Sequence, residues 1–249
     1  KAMPGNNLAL WLTVYSANDT LAGNYSDKII IETTAGNFEI TLLTTIWNFT
    51  LPVNHSLRVA IGNRNVYRIE NRDDWNKNFL KHRISPYFPY ENGQFYAVNR
   101  DFNNVTFNFT QLEIDLENAI FHGQDHFRIT FKPSDVYGPD AFTQSFNDTA
   151  ISFYSQLGAF LDNHTTPDGK TWLDLAIVYA IDEPNEEEYE GFNRWSELVH
   201  SAYPGWRVLL TEQVEDPIEN SVDIWCPHIN GVETNNIPLQ HAKGKEFWY

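Results

Sequence analysis

Two adjacent carboxylates, Asp182 and Glu183, end the apolar run 175–181 (LAIVYAI), and Pro184 follows them. An uninterrupted run of that kind reads as a parallel strand covered on both faces. The carboxyl ends of such strands are where α/β folds collect catalytic groups. A carboxylate pair can give one substrate both an anion and a proton donor. Most Asp-Glu pairs do no more than open a solvated loop. Here Pro184 fixes the backbone directly after the pair and gives the side chains a defined exit. Successive strand residues point to opposite faces, so both carboxylates reach one substrate only if the chain turns at Glu183.

Other strand ends add candidates for substrate contact: Arg83 and Tyr87 after the first strand, Tyr179 within the run, Glu212 after residues 206–210, and His228 after residues 222–226. Trp225, Trp248 and Tyr249 have the flat apolar surfaces on which sugar rings stack. Taken singly, each is more often core or loop. His228 has no His, Cys or Glu neighbour at metal-ligand spacing, and neither a Gly-x-Ser-x-Gly elbow nor a phosphate loop is present. Acid–base chemistry by carboxylates remains, with no metal or cofactor expected.

The elements that must position these residues change character along the chain. Residues 8–15 (LALWLTVY), 27–32 (DKIIIE), 37–45 (NFEITLLTT) and 55–61 (HSLRVAI) are β-branched and aromatic runs between Asn, Gly, Ser and Pro clusters. They predict a β-sandwich segment over 1–63. From residue 64 helical spacing enters, over 73–81, 109–123 and 141–162, with a strand at 126–131. After the carboxylate pair, Asn185 is an N-cap and Glu186, Glu187 and Glu188 suit a helix first turn. Tyr189, Phe192, Trp195, Val199 and Tyr203 make that helix's buried face, and Pro204-Gly205 ends it. Residues 206–210, 222–226 and 245–249 are further strands. The alternation predicts an α/β fold, a partial TIM-like (β/α) barrel over 64–249.

Composition narrows the partners. Seventeen Lys plus Arg against 33 Asp plus Glu give a net charge of −16, which disfavours nucleic acid and anionic membranes. No apolar run of about 18 residues is present, so no membrane insertion is expected. Cys226 is the only cysteine and sits in an apolar pattern, which excludes an internal disulfide and reads as a small core residue. Eight Asn-x-Ser/Thr sequons occur, at Asn18, Asn24, Asn48, Asn54, Asn104, Asn108, Asn147 and Asn163. Composition alone supplies about three. None lies in 175–249, the segment that carries the candidate chemistry. Secretion or cell-surface display with N-glycosylation follows as the expectation. Lys1 opens without a leader and Phe247-Trp248-Tyr249 closes inside an apolar run, so the sequence reads as an excerpt.

Residues 179–184 with the acidic helix start, then Tyr203-Pro204-Gly205, Leu209-Leu210-Thr211-Glu212-Gln213, residues 222–227 and residues 244–249 together resemble the catalytic domain of glycoside hydrolase family 123. Residues 82–87 resemble its first barrel strand, and 7–62 are similar to the β-sandwich ahead of that barrel. The resemblance implies a retaining N-acetyl-β-hexosaminidase assisted by its substrate. It makes Asp182 the residue that orients the 2-acetamido group and Glu183 the general acid and base. The family's barrel continues past the Trp-Tyr strand, so the last strands are expected from further chain or from other copies in an assembly. The competing expectation is a non-catalytic surface glycoprotein, a coat or filament subunit that keeps the fold. Protein from its natural source should carry N-acetylhexosamine mass on several of the eight Asn side chains. Glycopeptide mass spectrometry that finds all eight unmodified would remove the secretory reading.

Overall fold

The computed structural model describes residues 7–51, 58–61, 72–87, 89, 95–98, 105–133 and 141–248. The chain divides into two units, Lys1–Val53 and Asn54–Tyr249. In the first, β1 (Gly23–Thr33) and β2 (Gly36–Ile46) pair antiparallel around the two-residue turn Thr34-Ala35. Gly36 takes φ 125°, which only glycine adopts readily, and Thr33 Oγ1 donates to its carbonyl at 2.8 Å. Ile29 opposes Ile40 and Ile31 opposes Phe38 on one face, while Lys28 and Glu39 pair at 2.7 Å on the other. Both faces are largely exposed.

The expected β-sandwich segment is therefore corrected to a single hairpin. Residues 8–15 are exposed and make no strand; a sandwich needs a second sheet across the apolar face. Of 55–61, residues 55–57 lie outside the described residues, and Ala60–Ile61 form β3.

The second unit continues with α1 (Arg72–Lys81), β4 (Ser85–Pro86), β5 (Tyr96–Val98), β6 (Val105–Phe107), α2 (Phe109–Phe121), β7 (Phe127–Ile129) and α3 (Gln144–Asp162). Then follow β8 (Ala176–Val178), α4 (Tyr189–Ala202), β9 (Leu209–Leu210), β10 (Ile224–Trp225), α5 (Asn236–Ala242) and β11 (Glu246–Phe247). Local chemistry sets the helix starts. Asn108 Oδ1 accepts the Gln111 N–H and Thr143 Oγ1 the Phe146 N–H. Asn185 caps a 3₁₀ turn, Glu186–Glu188, that runs into α4, and the Glu188 carboxylate accepts the Asn185 N–H at 2.8 Å. Tyr189, Phe192, Trp195 and Val199 are buried, as the sequence spacing predicts, whereas Tyr203, expected on the same face, is the half-buried C-cap beyond the helix. Ile114 on α2 and Ile151 on α3 face outward, 55% and 40% exposed.

All the βα-type pairings are parallel. β3 pairs with β4, β7 with β8, and β9, β10 and β11 form a three-stranded sheet. A parallel bridge from Val178 to Val208 makes β8 the neighbour of the strand leading into β9. The order of the three strands around the carboxylate pair is thus the expected one. The expected barrel is not: these strands are two or three residues long, in separate small sheets, and no closed barrel forms among the described residues. Closure needs a continuous ladder with fixed stagger. Of the seven apolar residues 175–181, a 3₁₀ turn over Leu173–Leu175 takes the first, and only three are strand. Pro86 and Pro227 end or follow β4 and β10, and proline gives no ladder donor.

Alternate residues serve two packed faces. Ala176, Val178, Leu210 and Trp225 join the large helix-facing cluster with Leu112, Phe153, Leu157 and Trp195. Ile177, Tyr179, Leu209 and Ile224 form a second cluster, against which Tyr87, Cys226 and Trp248 pack. Gly158 lets α3 meet the Tyr203 ring: a Cβ there would lie 2.7 Å from the ring. Gly158→Ala should therefore reverse the usual helix gain from alanine. Overpacking costs about 1–3 kcal/mol, each worth about 2–4 °C at this size. Calorimetry should find Tm lowered by several degrees; an unchanged or raised Tm would refute the contact.

Candidate functional site

Strand parity decides which side chains meet. Arg128 on β7 and Tyr179 just past β8 leave the helix-facing core for the second face, which Tyr87 reaches from beyond β4 and Cys226 from beyond β10. The strands are pinned at this end: Arg128 N–H donates to the Tyr87 carbonyl at 2.8 Å and Tyr179 N–H to Ile129 O at 3.1 Å. The Arg128 guanidinium lies 4.1 Å over the Tyr179 ring and 5.7 Å from the Tyr87 centroid, and its Nε donates to the Tyr179 carbonyl at 2.5 Å. The two tyrosine rings meet edge-on at 6.2 Å.

This aromatic floor presents one hydroxyl to the carboxylate pair. Tyr179 Oη donates to Asp182 Oδ1, and Thr211 Oγ1, one residue past β9, donates to the same oxygen at 2.7 Å. The Thr211 oxygen also accepts the Glu183 N–H at 3.1 Å. Glu183 has φ 44°, in the left-handed region that costs a side-chain-bearing residue about 1–2 kcal/mol. That turn lies past the end of β8 at Val178, in the loop that carries both carboxylates. Both are exposed, and Pro184 behind them is buried. Among the described residues the Glu183 carboxyl makes no hydrogen bond, whereas Asp182 is held by two hydroxyls.

Burial pushes the Tyr179 phenol far above its ordinary value, and its hydrogen bond to Asp182 adds to the shift while Thr211 and Arg128 oppose it. Burial also raises Tyr87, with Cys226 next in effect, and raises Cys226, with Asp182 next. All three are therefore neutral donors near pH 7.

The remaining candidates are scattered. Arg83 stands ahead of β4, not after it: it closes the last turn of α1 at φ 62°, with its N–H on Leu80 O. Trp225 is fully buried on the helix side, its Nε1 on Gln240 Oε1 at 3.2 Å, so it cannot stack on a sugar. The period of two places Ile224 and Cys226 on the site face instead. Glu212 is half-buried beside Thr211 and accepts the Gln213 N–H. His228 is exposed and caps the Ile229–Gly231 turn. Trp248 is half-buried, its Nε1 on Glu246 and its ring 5.0 Å from that of His126. Tyr249 lies outside the described residues. Of the sequon asparagines, Asn18, Asn24, Asn48, Asn108 and Asn163 are exposed, Asn147 is half-buried, and Asn54 and Asn104 lie outside the described residues.

Sequence reasoning missed Arg128 and the role of Thr211. An arginine inside the apolar run 126–131 and a hydroxyl directly after residues 206–210 were the available signals. Ser196, His200 and Asp223 also adopt a triad-like order, but Ser196 is fully buried and donates to Ser221 O at 2.7 Å. Asp223 precedes β10 and accepts the Val208 N–H, so that cluster ties α4 to the strand entries. Among the described residues no group of three or more His, Cys, Asp or Glu is placed to hold a metal, and no helix is long and apolar enough to cross a membrane.

Compared with known proteins, the chain matches no family model and no curated protein. The site must be read from its own geometry.

A raised phenol stabilises the fold below the unfolded value near 10, and that contribution is lost as pH rises through the higher folded value. In a tyrosinate absorbance titration, the difference between wild type and Tyr179→Phe should develop only well above pH 10. A difference complete by pH 10 would contradict the buried hydrogen bond to Asp182.

Proposed function

We propose that the second unit is a retaining glycoside hydrolase acting on N-acetyl-β-hexosaminides, secreted or displayed at the cell surface. The observation that carries this reading is the unequal treatment of two adjacent carboxylates. Asp182 is anchored by two hydroxyl donors, which favour its anion. Glu183, the next residue, is exposed and able to exchange a proton. An anchored anion beside an exposed acid suits a reaction in which the substrate supplies its own nucleophile.

In that reaction Asp182 orients the 2-acetamido group, and the acetamido oxygen forms a bond to the anomeric carbon. The glycosidic C–O bond breaks as Glu183 gives its proton to the leaving oxygen. An oxazolinium remains, its positive charge beside the Asp182 carboxylate. Water then attacks the anomeric carbon, Glu183 takes the water's proton, and the acetamide re-forms. Bonds and protons balance to net hydrolysis with retention. Tyr87 and Trp248, half-buried on this face, offer the aromatic surface for the sugar.

On a chromogenic N-acetyl-hexosaminide, Glu183→Gln should fold normally and lose about 10²–10⁴-fold in kcat, because an amide has no proton to give. It should recover on substrates with good leaving groups, which need little protonation. Asp182→Asn should not recover there, since the oxazolinium still needs its anion. Wild-type protein that turns over no N-acetyl-hexosaminide would instead favour the non-catalytic glycoprotein.

A further inference from the structure

We infer that Thr211 is the positioning residue of this site, one hydroxyl that sets both the Asp182 carboxylate and the left-handed turn at Glu183. The kinetic part of this inference rests on the hydrolase reading; the geometric part does not. A threonine hydroxyl has one proton and two acceptor lone pairs. At Thr211 the proton goes to Asp182 Oδ1 at 2.7 Å and a lone pair takes the Glu183 N–H at 3.1 Å. Tyr179 Oη, which also donates to Asp182, stands 3.4 Å away. Thr211 is itself fixed, because the preceding Leu210 lies in β9 and its carbonyl accepts the Cys226 N–H at 2.8 Å. The anchor for residues that follow β8 is thus supplied by the end of the neighbouring strand.

Removing the hydroxyl has two separable effects. The Glu183 N–H loses its acceptor, so nothing from β9 holds the φ 44° conformation. Asp182 loses one of two hydroxyl donors, and a carboxylate with fewer donors protonates at higher pH. Among the described residues, Tyr179, Tyr87 from beyond β4 and Cys226 from beyond β10 are titratable groups that act on Asp182, with Arg128 behind the tyrosines. The tyrosines and the thiol are pushed upward and stay neutral in acid, and Arg128 stays charged. Glu183 and Glu212 are the neighbouring carboxyl groups on the same loops.

The test compares Thr211→Val, which keeps the shape, with Thr211→Ser, which keeps the hydroxyl, in the full chain. Carbon-13 NMR of protein labelled only at aspartate carboxyls, assigned with Asp182→Asn, follows Asp182 apart from the glutamates. The valine variant should raise the Asp182 midpoint, and serine should restore it. In turnover, valine should lower kcat on the order of 10- to 100-fold with KM little changed. It should also move the acid limb of the pH profile upward, with serine again restoring both. A folded valine variant with an unmoved Asp182 titration overturns the inference. If wild type has no turnover, the hydrolase reading fails while the titration still decides Thr211. A valine variant that does not fold is answered by serine: full folding with an altered Asp182 midpoint would also count against the hydroxyl's role.

Discussion

Strands of two or three residues create a problem that the rest of the second unit solves: their flanking carbonyls enter an apolar core with no ladder partner. A buried unpaired carbonyl costs as much as a lost hydrogen bond. Side-chain donors, many of them aromatic, meet these groups. Phe131 O accepts from Tyr154 Oη at 2.7 Å and Trp195 Nε1 at 3.0 Å. Thr130 O accepts from Tyr96 Oη at 3.2 Å. Tyr179 O takes both Arg128 Nε and Thr130 Oγ1. Tyrosine and tryptophan bring a donor and a large buried area together, so the same residues fill the core and close the backbone's bonds. The site is an extension of this arrangement, since Arg128, which fixes the Tyr179 carbonyl, also forms the floor under its ring.

The acidic charge balance gives the hydroxyl donors at Asp182 their setting. Cations are scarce, at 17 against 33 acids, and several are engaged elsewhere. Arg58 and Arg207 meet Glu246, and Lys243 meets Glu219. Arg128 lies against a ring, with its charge on the face of Tyr179. Tyr179 and Thr211 bring neutral donors to the carboxylate, so these two contacts hold it without neutralising its charge.

What the sequence made legible follows from local rules, and what it hid follows from tertiary ones. The Asn185 cap, the acidic first turn and the buried face of α4 are dictated within a few residues, and they form as expected. The apolar run 175–181 correctly marks a covered parallel strand beside residues 206–210 and 222–226. Its length misleads, because apolar character reports burial and not ladder length, and from that error the barrel followed. The hairpin errs in the same way: β-propensity at 27–45 makes strands, but residues 8–15 with similar composition make none. Residue type alone points Trp225 toward a sugar, although its place next to Ile224 and Cys226 fixes it to the opposite face. The role of Thr211 is hidden in the sequence, since the bridge from Val178 to Val208 is what brings it beside Asp182.

Glu183 joins these levels. A left-handed glutamate is disfavoured, and glycine or asparagine would sit there at less cost. The conformation persists because the Thr211 hydroxyl accepts its N–H and buried Pro184 fixes the chain behind it. An outlier that the surroundings hold in place invites a functional reason. The turn comes after β8 has ended at Val178, and both Asp182 and Glu183 are exposed there. The Thr211 hydroxyl, which donates to Asp182 and accepts the Glu183 N–H, ties the strained residue to the anchored carboxylate beside it.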